Sequence, residues 1–498
     1  ERIHLRGVLS WGWNPRSLAP TPTDEEIRDE FRRVRALGFN LVKLCLFVPP
    51  QRLFDIADEE GMLLWLELPM WWQRMNDHLR RQVVVEYSDI LREVHHHPTV
   101  VIYSLGCELD ASMAGEALLA ELDRLTRQAT MGALICDNSG SGEAYQGLSF
   151  DYADFADYHF YCDLHYFVPL LDHFRRDWRP PRPWIFGEFC DKDDYRNPAA
   201  LLEDGARLWW RDVLGVEGTL DRWAYSEQES RMAANSLPFT DAQLVEISRR
   251  ESFMMRKVIL ERTRARREVR GYVVTGLRDT PISTSGMFDD AGQSKYAPAA
   301  FRQFNSDSVL LLDHGRARQW LHGGDRPAPT DLYNHFGGDS VTFRVILSHF
   351  GMARDGGDLY WQLFAPDGTV NAEGSMPVGK VSSGAPREVG TISLTLPGVA
   401  AAGAWQLAVD VGGWATNTWS LWIYPRLHLI VADVRAHDPV GAFGGQFAPA
   451  DLDSMTQGIV IASAFTRELD NYLQNGGRAI VLQPEGGGLP SQGVPFWR

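Results

Sequence analysis

Two apolar runs, each ending on a glutamate, carry the residues best placed to do chemistry: Thr99-Val-Val-Ile-Tyr-Ser-Leu-Gly-Cys-Glu108 and Arg182-Pro-Trp-Ile-Phe-Gly-Glu188. A short continuous apolar run is how a strand buried on both faces reads, and its carboxylate then sits where the strand emerges. In a parallel barrel, catalytic groups gather at that end. Two glutamates arriving there from different strands are what cleavage of a glycosidic bond needs, one as proton donor and one as nucleophile or base. The chain holds 65 Asp and Glu, so either run alone reads equally well as an end-of-strand salt bridge. The pair, set in a repeating strand and helix frame, favours catalysis.

Other side chains fall near the same strand ends. In Asp157-Tyr158-His159-Phe160-Tyr161, His159 or Tyr161 orients the nucleophile or binds a sugar hydroxyl, with a satisfied structural histidine as the competing reading. Trp11, Trp13, Trp71 and Trp72 follow the first and third strands, where aromatic faces stack on sugar rings or pack the core and rim. Glu67, beside Pro69, binds a hydroxyl or forms a supporting salt bridge. Asn138-Ser139 is a turn by composition and a ligand contact by position, and Asp289-Asp290 is a turn pair with no assigned role. The cysteines Cys45, Cys107, Cys136, Cys162 and Cys190 show no CxxC pair and no zinc spacing. They read as free thiols, buried as small apolar residues or lining the site. No metal or organic cofactor is expected.

The elements that must position these residues alternate over the first 305 residues. Expected strands are Ile3–Ser10, Phe39–Leu46, Met62–Leu68, Thr99–Leu105, Ala133–Cys136, Phe155–Phe160, Pro183–Phe189 and Arg270–Gly276. Eight strands with helices between most of them point to a (β/α)8 barrel, an α/β fold. The first helix has a capping box at Thr23 and Glu26, a stripe of Ile27, Phe31, Val34 and Leu37, and Gly38 as its stop. Asp77 to His97 and Ala114 to Thr130 repeat the pattern. About 80 residues separate strands seven and eight, with a helix from Asp241 to about Arg266, more than one crossover requires. That insertion is expected to overhang the active-site face.

At 498 residues the chain should hold more than one core. Residues 306–334 read as a Gly/Pro/Asp-rich linker, 335–425 as an antiparallel β-sandwich, and 426–498 as a partial α/β (flavodoxin-like) piece. The last piece rests on a strand at Leu427–Val434, a helix at Phe465–Asn475 and a strand at Arg478–Leu482. A start on Glu1 with a strand at once, and an end at Pro495-Phe-Trp-Arg498 after few elements, suggest an excised or processed chain. The net charge of −16, with no basic block, argues against a nucleic-acid partner, and no apolar stretch is long enough to span a bilayer as a helix. A carbohydrate substrate is the expected partner, and a homo-oligomer is compatible with the composition.

Tyr103-Ser-Leu-Gly-Cys-Glu108 after His97-Pro98, with Trp184-Ile-Phe-Gly-Glu188, resembles the acid/base and nucleophile segments of clan A glycoside hydrolases, most of all family 2, the β-galactosidase, β-glucuronidase and β-mannosidase group. Leu5-Arg-Gly-Val, Leu37-Gly-Phe-Asn-Leu-Val-Lys43, Asp58-Glu-Glu-Gly-Met-Leu-Leu-Trp and Gly286-Met-Phe-Asp-Asp are similar to that family's barrel, in the right order, over about residues 1–305. The resemblance implies a retaining mechanism, with Glu108 as acid/base and Glu188 as nucleophile. Glu108 would then keep its proton through apolar cover and the nearby charge of Glu188. Two substrate-binding positions depart from the family. Cys107 stands where an Asn usually bonds the sugar 2-hydroxyl, and Lys43 stands where Arg is usual, which keeps the charge and loses the bidentate fork. The departures leave two competitors to a glycosidase: a carbohydrate-binding scaffold with a decayed barrel, and a barrel enzyme of other chemistry whose cysteines hold a metal.

Overall fold

The computed structural model describes residues 2–482 except 16–21, 72–75, 110–115, 131, 141–152, 163, 175–181, 197–201, 204–205, 208–209, 211–224, 236–237, 314–315, 322–323, 330, 427–433 and 456–457. Trp72 and nearly all of the expected strand Leu427–Val434 lie outside the described residues.

Eight parallel strands form the first sheet: β1 Leu5–Ser10, β2 Leu41–Leu44, β3 Leu63–Glu67, β4 Val100–Ser104, β5 Leu134–Cys136, β6 Ala156–Phe160, β7 Trp184–Phe189 and β8 Val269–Val274. Their order, β5-β4-β3-β2-β1-β8-β7-β6, is that of a barrel left open at one seam, since no ladder joins β5 to β6 among the described residues. The first seven lie inside their expected spans, and β8 begins one residue before its span of Arg270–Gly276. Continuous apolar runs arise here because both faces are covered. Leu9, Leu41, Trp65, Ile102, Cys136, Phe155, Ile185 and Val273 fill the interior, while Val8, Val42, Leu44, Leu64, Leu66, Phe186 and Val274 pack outward against the helices.

The helices follow their sequence signals. α1 Asp24–Ala36 has the Thr23/Glu26 capping box and buries Ile27, Phe31 and Val34, with Gly38 at φ 90° beyond its end. α2 Gln51–Glu60, α3 Asp77–Val94, α4 Glu116–Ala129 and α5 Leu164–Phe174 follow β2, β3, β4 and β6. Within the long insertion, α6 Asp241–Arg264 is capped at Thr240 and buries Arg256, Ile259, Leu260, Glu261 and Arg264 along its second half.

Residues up to Tyr424 form one compact unit. Its second part is a sandwich of a three-stranded sheet, β9 Ser308–Asp313, β11 Ser340–His349 and β14 Arg387–Thr395, and a five-stranded sheet of β10 Asn334–Phe336, β12 Gly357–Phe364, β13 Val370–Val378, β15 Gly403–Val411 and β16 Ala415–Tyr424. β9 lies in the segment read as linker. Its run Val309-Leu310-Leu311-Leu312 is buried and pairs with β11 from Ser308↔His349 to Asp313↔Arg344. The Gly and Pro residues downstream hid a short strand. α6 joins the barrel to the sandwich: Arg264 donates to the Ser306 carbonyl at 2.7 Å and to the Ser348 hydroxyl at 3.2 Å, and Trp419 donates to Glu261 at 3.0 Å.

Residues 425–498 form a separate unit of four parallel strands, β17 Arg435–His437, β18 Ala448–Pro449, β19 Ile459–Ala462 and β20 Arg478–Val481. The expected helix is α7 Arg467–Gln474, capped by Thr466, with Leu469 and Tyr472 packed on Val460 and Ala462.

Candidate active site

Strand alternation decides which side chains point into the barrel. On β2, Leu41 belongs to the interior core and Val42 and Leu44 to the outer one, so Lys43 points inward, and Cys45 follows it. On β3, Trp65 and Glu67 share the inner face, and on β6 Asp157 and His159 do. The interior is therefore apolar below and charged above, at the end where the strands emerge.

Lys43 is fully buried at the centre of that layer. Its ammonium lies 2.8 Å from Glu67, 3.2 Å from Oε1 of Glu188 and 2.8 Å from the Ser139 hydroxyl. Burial alone would push its pKa down, but Glu67 and Glu188 outweigh it and hold the pKa well above the ordinary lysine value. Glu188 also accepts from the Tyr161 hydroxyl at 2.7 Å. Burial works to raise the Glu188 carboxyl, and His159, Lys43 and Tyr161 overcome it and hold the pKa below the usual value. Glu188 is thus kept ionised, the state a nucleophile requires.

Glu108 sits differently. It takes a left-handed backbone, φ 49°, in the segment that follows β4, a conformation that costs a non-glycine residue on the order of 1 kcal/mol and needs support from its surroundings. The support is local: the Glu108 amide donates to the Ser139 carbonyl at 2.7 Å, and Asn138 clamps Leu109 with bonds of 3.0 and 2.8 Å. Asn138 therefore spends its amide on the turn that aims Glu108. The Glu108 side chain is 35% exposed. Its Oε1 lies 2.7 Å from Nδ1 of His159, and its Oε2 accepts from the Trp71 indole at 3.0 Å. Where apolar cover was expected, these neighbours are hydrogen-bond donors.

His159 ties the two glutamates together. Its Nδ1 is 2.7 Å from Oε1 of Glu108 and 3.7 Å from Oε2 of Glu188, so those oxygens are at most 6.4 Å apart, the sum of the two. Burial would lower its pKa, yet the charge of Glu188 and the bond to Glu108 raise it to about 9. Asp157 supports the ring from below. It accepts from Ser139 at 2.9 Å, from the Gly140 amide at 3.0 Å and from the Gly187 amide at 2.6 Å. A Cβ on Gly187 would lie 2.4 Å from the Asp157 carboxylate, so only glycine fits beside it.

Cys107 is buried, and its thiol, with His159 and Glu188, places ligand atoms within 4.8 Å of one another; Cys45, Glu67 and Glu188 do the same. Both sets share Glu188, already neutralised by Lys43, and burial pushes both thiols strongly up. A cation needs the thiolate, which this surrounding disfavours. Of the tryptophans, Trp71 is 51% exposed at the rim beside Glu108. Trp13 packs edge-on against Trp210 at 6.0 Å. Trp11 and Trp13 line a cavity of about 390 Å³ beside α1 whose walls include neither glutamate.

Ser139 and Asp157, read as a turn residue and as part of a segment, turn out to link Lys43, His159 and the Gly187 backbone. Spacing held a usable signal for Asp157, two residues before His159 and therefore on the same face.

Residues 339–425 match a family described as "Domain of unknown function (DUF8488)". A protein of Formosa agariphila named "Putative beta-glucuronidase" is 28% identical over 112 residues, 22% of this chain and 13% of that protein. Among solved structures, a β-D-mannosidase of Dictyoglomus thermophilum aligns with a TM-score of 0.56 at 13% identity, covering 87% of this chain and 52% of the enzyme. An exo-chitosanase of Amycolatopsis orientalis aligns with a TM-score of 0.53 at 14% identity, covering 91% and 52%. The chain spans about half the length of these two enzymes. In fold it is like their barrel and sandwich, and in its motif segments it resembles family 2 of glycoside hydrolase clan A.

Proposed function

We propose that the chain carries the catalytic barrel of a retaining exo-β-glycosidase, β-galactosidase-like, which hydrolyses β-linked sugars by double displacement. The observation that carries this reading is the meeting of Glu108 and Glu188 on one histidine at the C-terminal end of the strands. The pair of oxygens that His159 bridges is at most 6.4 Å apart, compatible with the short carboxyl spacing of a retaining enzyme. Glu188, ionised and held by Lys43 and Tyr161, attacks the anomeric carbon, while Glu108 protonates the leaving oxygen. Glu108 then deprotonates the water that releases the sugar. Trp71 offers a face at the rim, and the buried Cys107 and Lys43 lie close to Glu188.

A second reading, a catalytically weak or inactive carbohydrate-binding barrel, is favoured by Cys107, since a buried thiol is a poor donor to a sugar hydroxyl. One experiment separates them. A panel of nitrophenyl β-glycosides should include a substrate whose first-formed product keeps the β configuration by NMR. Binding of a sugar without turnover of any member would favour the second reading, and an inverted product would remove the double displacement.

A further inference from the structure

Hydrogen-bond bookkeeping around His159 fixes more than its position. The Ser139 hydroxyl lies 2.8 Å from the Lys43 ammonium, 2.9 Å from Asp157 and 2.9 Å from Nε2 of His159. A hydroxyl has one hydrogen. Given to the Asp157 carboxylate, it leaves Ser139 to accept from both Lys43 and Nε2, so Nε2 carries a proton. On the other side, Nδ1 faces the Glu108 carboxylate at 2.7 Å and must donate to it. Both ring nitrogens then bear hydrogen, and the ring is an imidazolium.

The surrounding charges agree. His159 faces Glu108 from the end of β4, Glu188 from β7 and Asp157 from its own strand, with Lys43 behind Ser139 and Glu67 behind Lys43. The Cys107 thiol and the Tyr161 ring also lie near it. Four carboxylates thus surround two cations.

We propose that His159 is a positioning residue that works through Glu108: the two side chains share one proton, stored on His159 while the site is open and carried by Glu108 once a sugar fills it. This rests on the reading of Glu108 as the acid/base. In the open site Glu108 is partly exposed, and water stabilises the carboxylate–imidazolium pair. A sugar that covers Glu108 removes that water, and a poorly solvated pair prefers its neutral form. The Nδ1–H bond breaks and an O–H bond forms on Glu108. As the glycosidic C–O bond breaks, its electron pair goes to the leaving oxygen, which takes the proton from Glu108. In the second step the attacking water returns a proton to Glu108, and through it to Nδ1. The arrangement explains how a carboxyl group facing two donors can still act as an acid near neutral pH. A titration of His159 near 9 suits this store.

The test has two arms. Imidazole NMR of the ¹⁵N-histidine-labelled chain, with the His159 signal identified by its loss in His159→Gln, should show His159 titrating near 9 and falling by at least one unit in Glu108→Gln. This arm needs no turnover. A wild-type value near the ordinary 6.5, or no change in Glu108→Gln, overturns the proposal. The second arm is the pH profile of kcat/KM on a β-glycoside with a poor leaving group. His159→Gln should move the basic limb down by one unit or more, because a lone carboxyl loses its proton earlier than the pair does. An unmoved limb means a merely structural histidine. Should His159→Gln not fold, the wild-type and Glu108→Gln titrations decide alone, with the His159 signal traced through its coupling to the β6 backbone. A chain that titrates as expected but turns over no glycoside would sink the glycosidase reading and leave the shared proton standing.

Discussion

Two of the clusters of buried charge in the chain are built differently. At the barrel and sandwich seam, Glu261 pairs with Lys257 and accepts from Asn417 at 2.7 Å and Trp419 at 3.0 Å, and Lys257 also reaches the Asn417 carbonyl oxygen at 2.5 Å. One anion meets one cation, and regular secondary structure holds both. At the strand ends, by contrast, four carboxylates surround Lys43 and His159, and the backbone is strained. The non-glycine residues with positive φ among the described residues are Leu46, Glu108 and Cys190, each in the segment that follows β2, β4 or β7. The seam shows what a buried ion pair looks like when it only holds parts together. Strain, unequal charge and a partly exposed carboxylate set the other apart as the candidate site.

The sharpest way to break this contrast is Glu188→Ala. It should lower kcat/KM by roughly 10⁴-fold or more on every substrate, because no glycosyl-enzyme can form, and azide should restore some rate with a product of inverted configuration. Wild-type rates in that variant would deny the site its nucleophile. At the seam, Glu261→Ala should do the reverse: it strands a buried ammonium and should cost about 3–5 kcal/mol in urea unfolding, while kcat of the folded fraction stays as in the wild type. A loss of kcat without loss of stability would erase the distinction between the two clusters. Glu108→Ala should lower the rate by roughly 10²–10³-fold for poor leaving groups, yet spare the first step for dinitrophenyl glycosides, so that the intermediate accumulates in a burst. The smallest effect is expected at Cys107→Asn, where an amide facing the sugar should raise kcat/KM by about tenfold, worth roughly 1.4 kcal/mol. No gain across the panel would mean that another group reads that part of the ring.

Much of this was legible without coordinates. The eight barrel strands read as apolar runs because each is covered on both faces, and the helix α1 read from Thr23, Glu26 and its apolar stripe because capping and amphipathicity are local properties. Where the reading fell short, the cause was local too. The run Val309-Leu310-Leu311-Leu312 is four residues in a Gly/Pro-rich stretch, and only its partner β11 makes it a strand. Apolar cover over Glu108 was expected because an acid/base must keep its proton, but that role does not specify which side chains face the carboxyl, and here they are the Trp71 indole and His159.

By itself, the sequence determined the strand and helix frame and the two glutamates at strand ends, since these depend on residues within a turn or two of one another. Only the tertiary structure decided that Lys43 meets Glu188 across 145 residues, that Glu108 meets His159 across 51, and that Ser139 and Asp157 join them. Those contacts form because closing the sheet brings distant strand ends together in low dielectric, where each charge must find a partner, and no local pattern states which partner it finds.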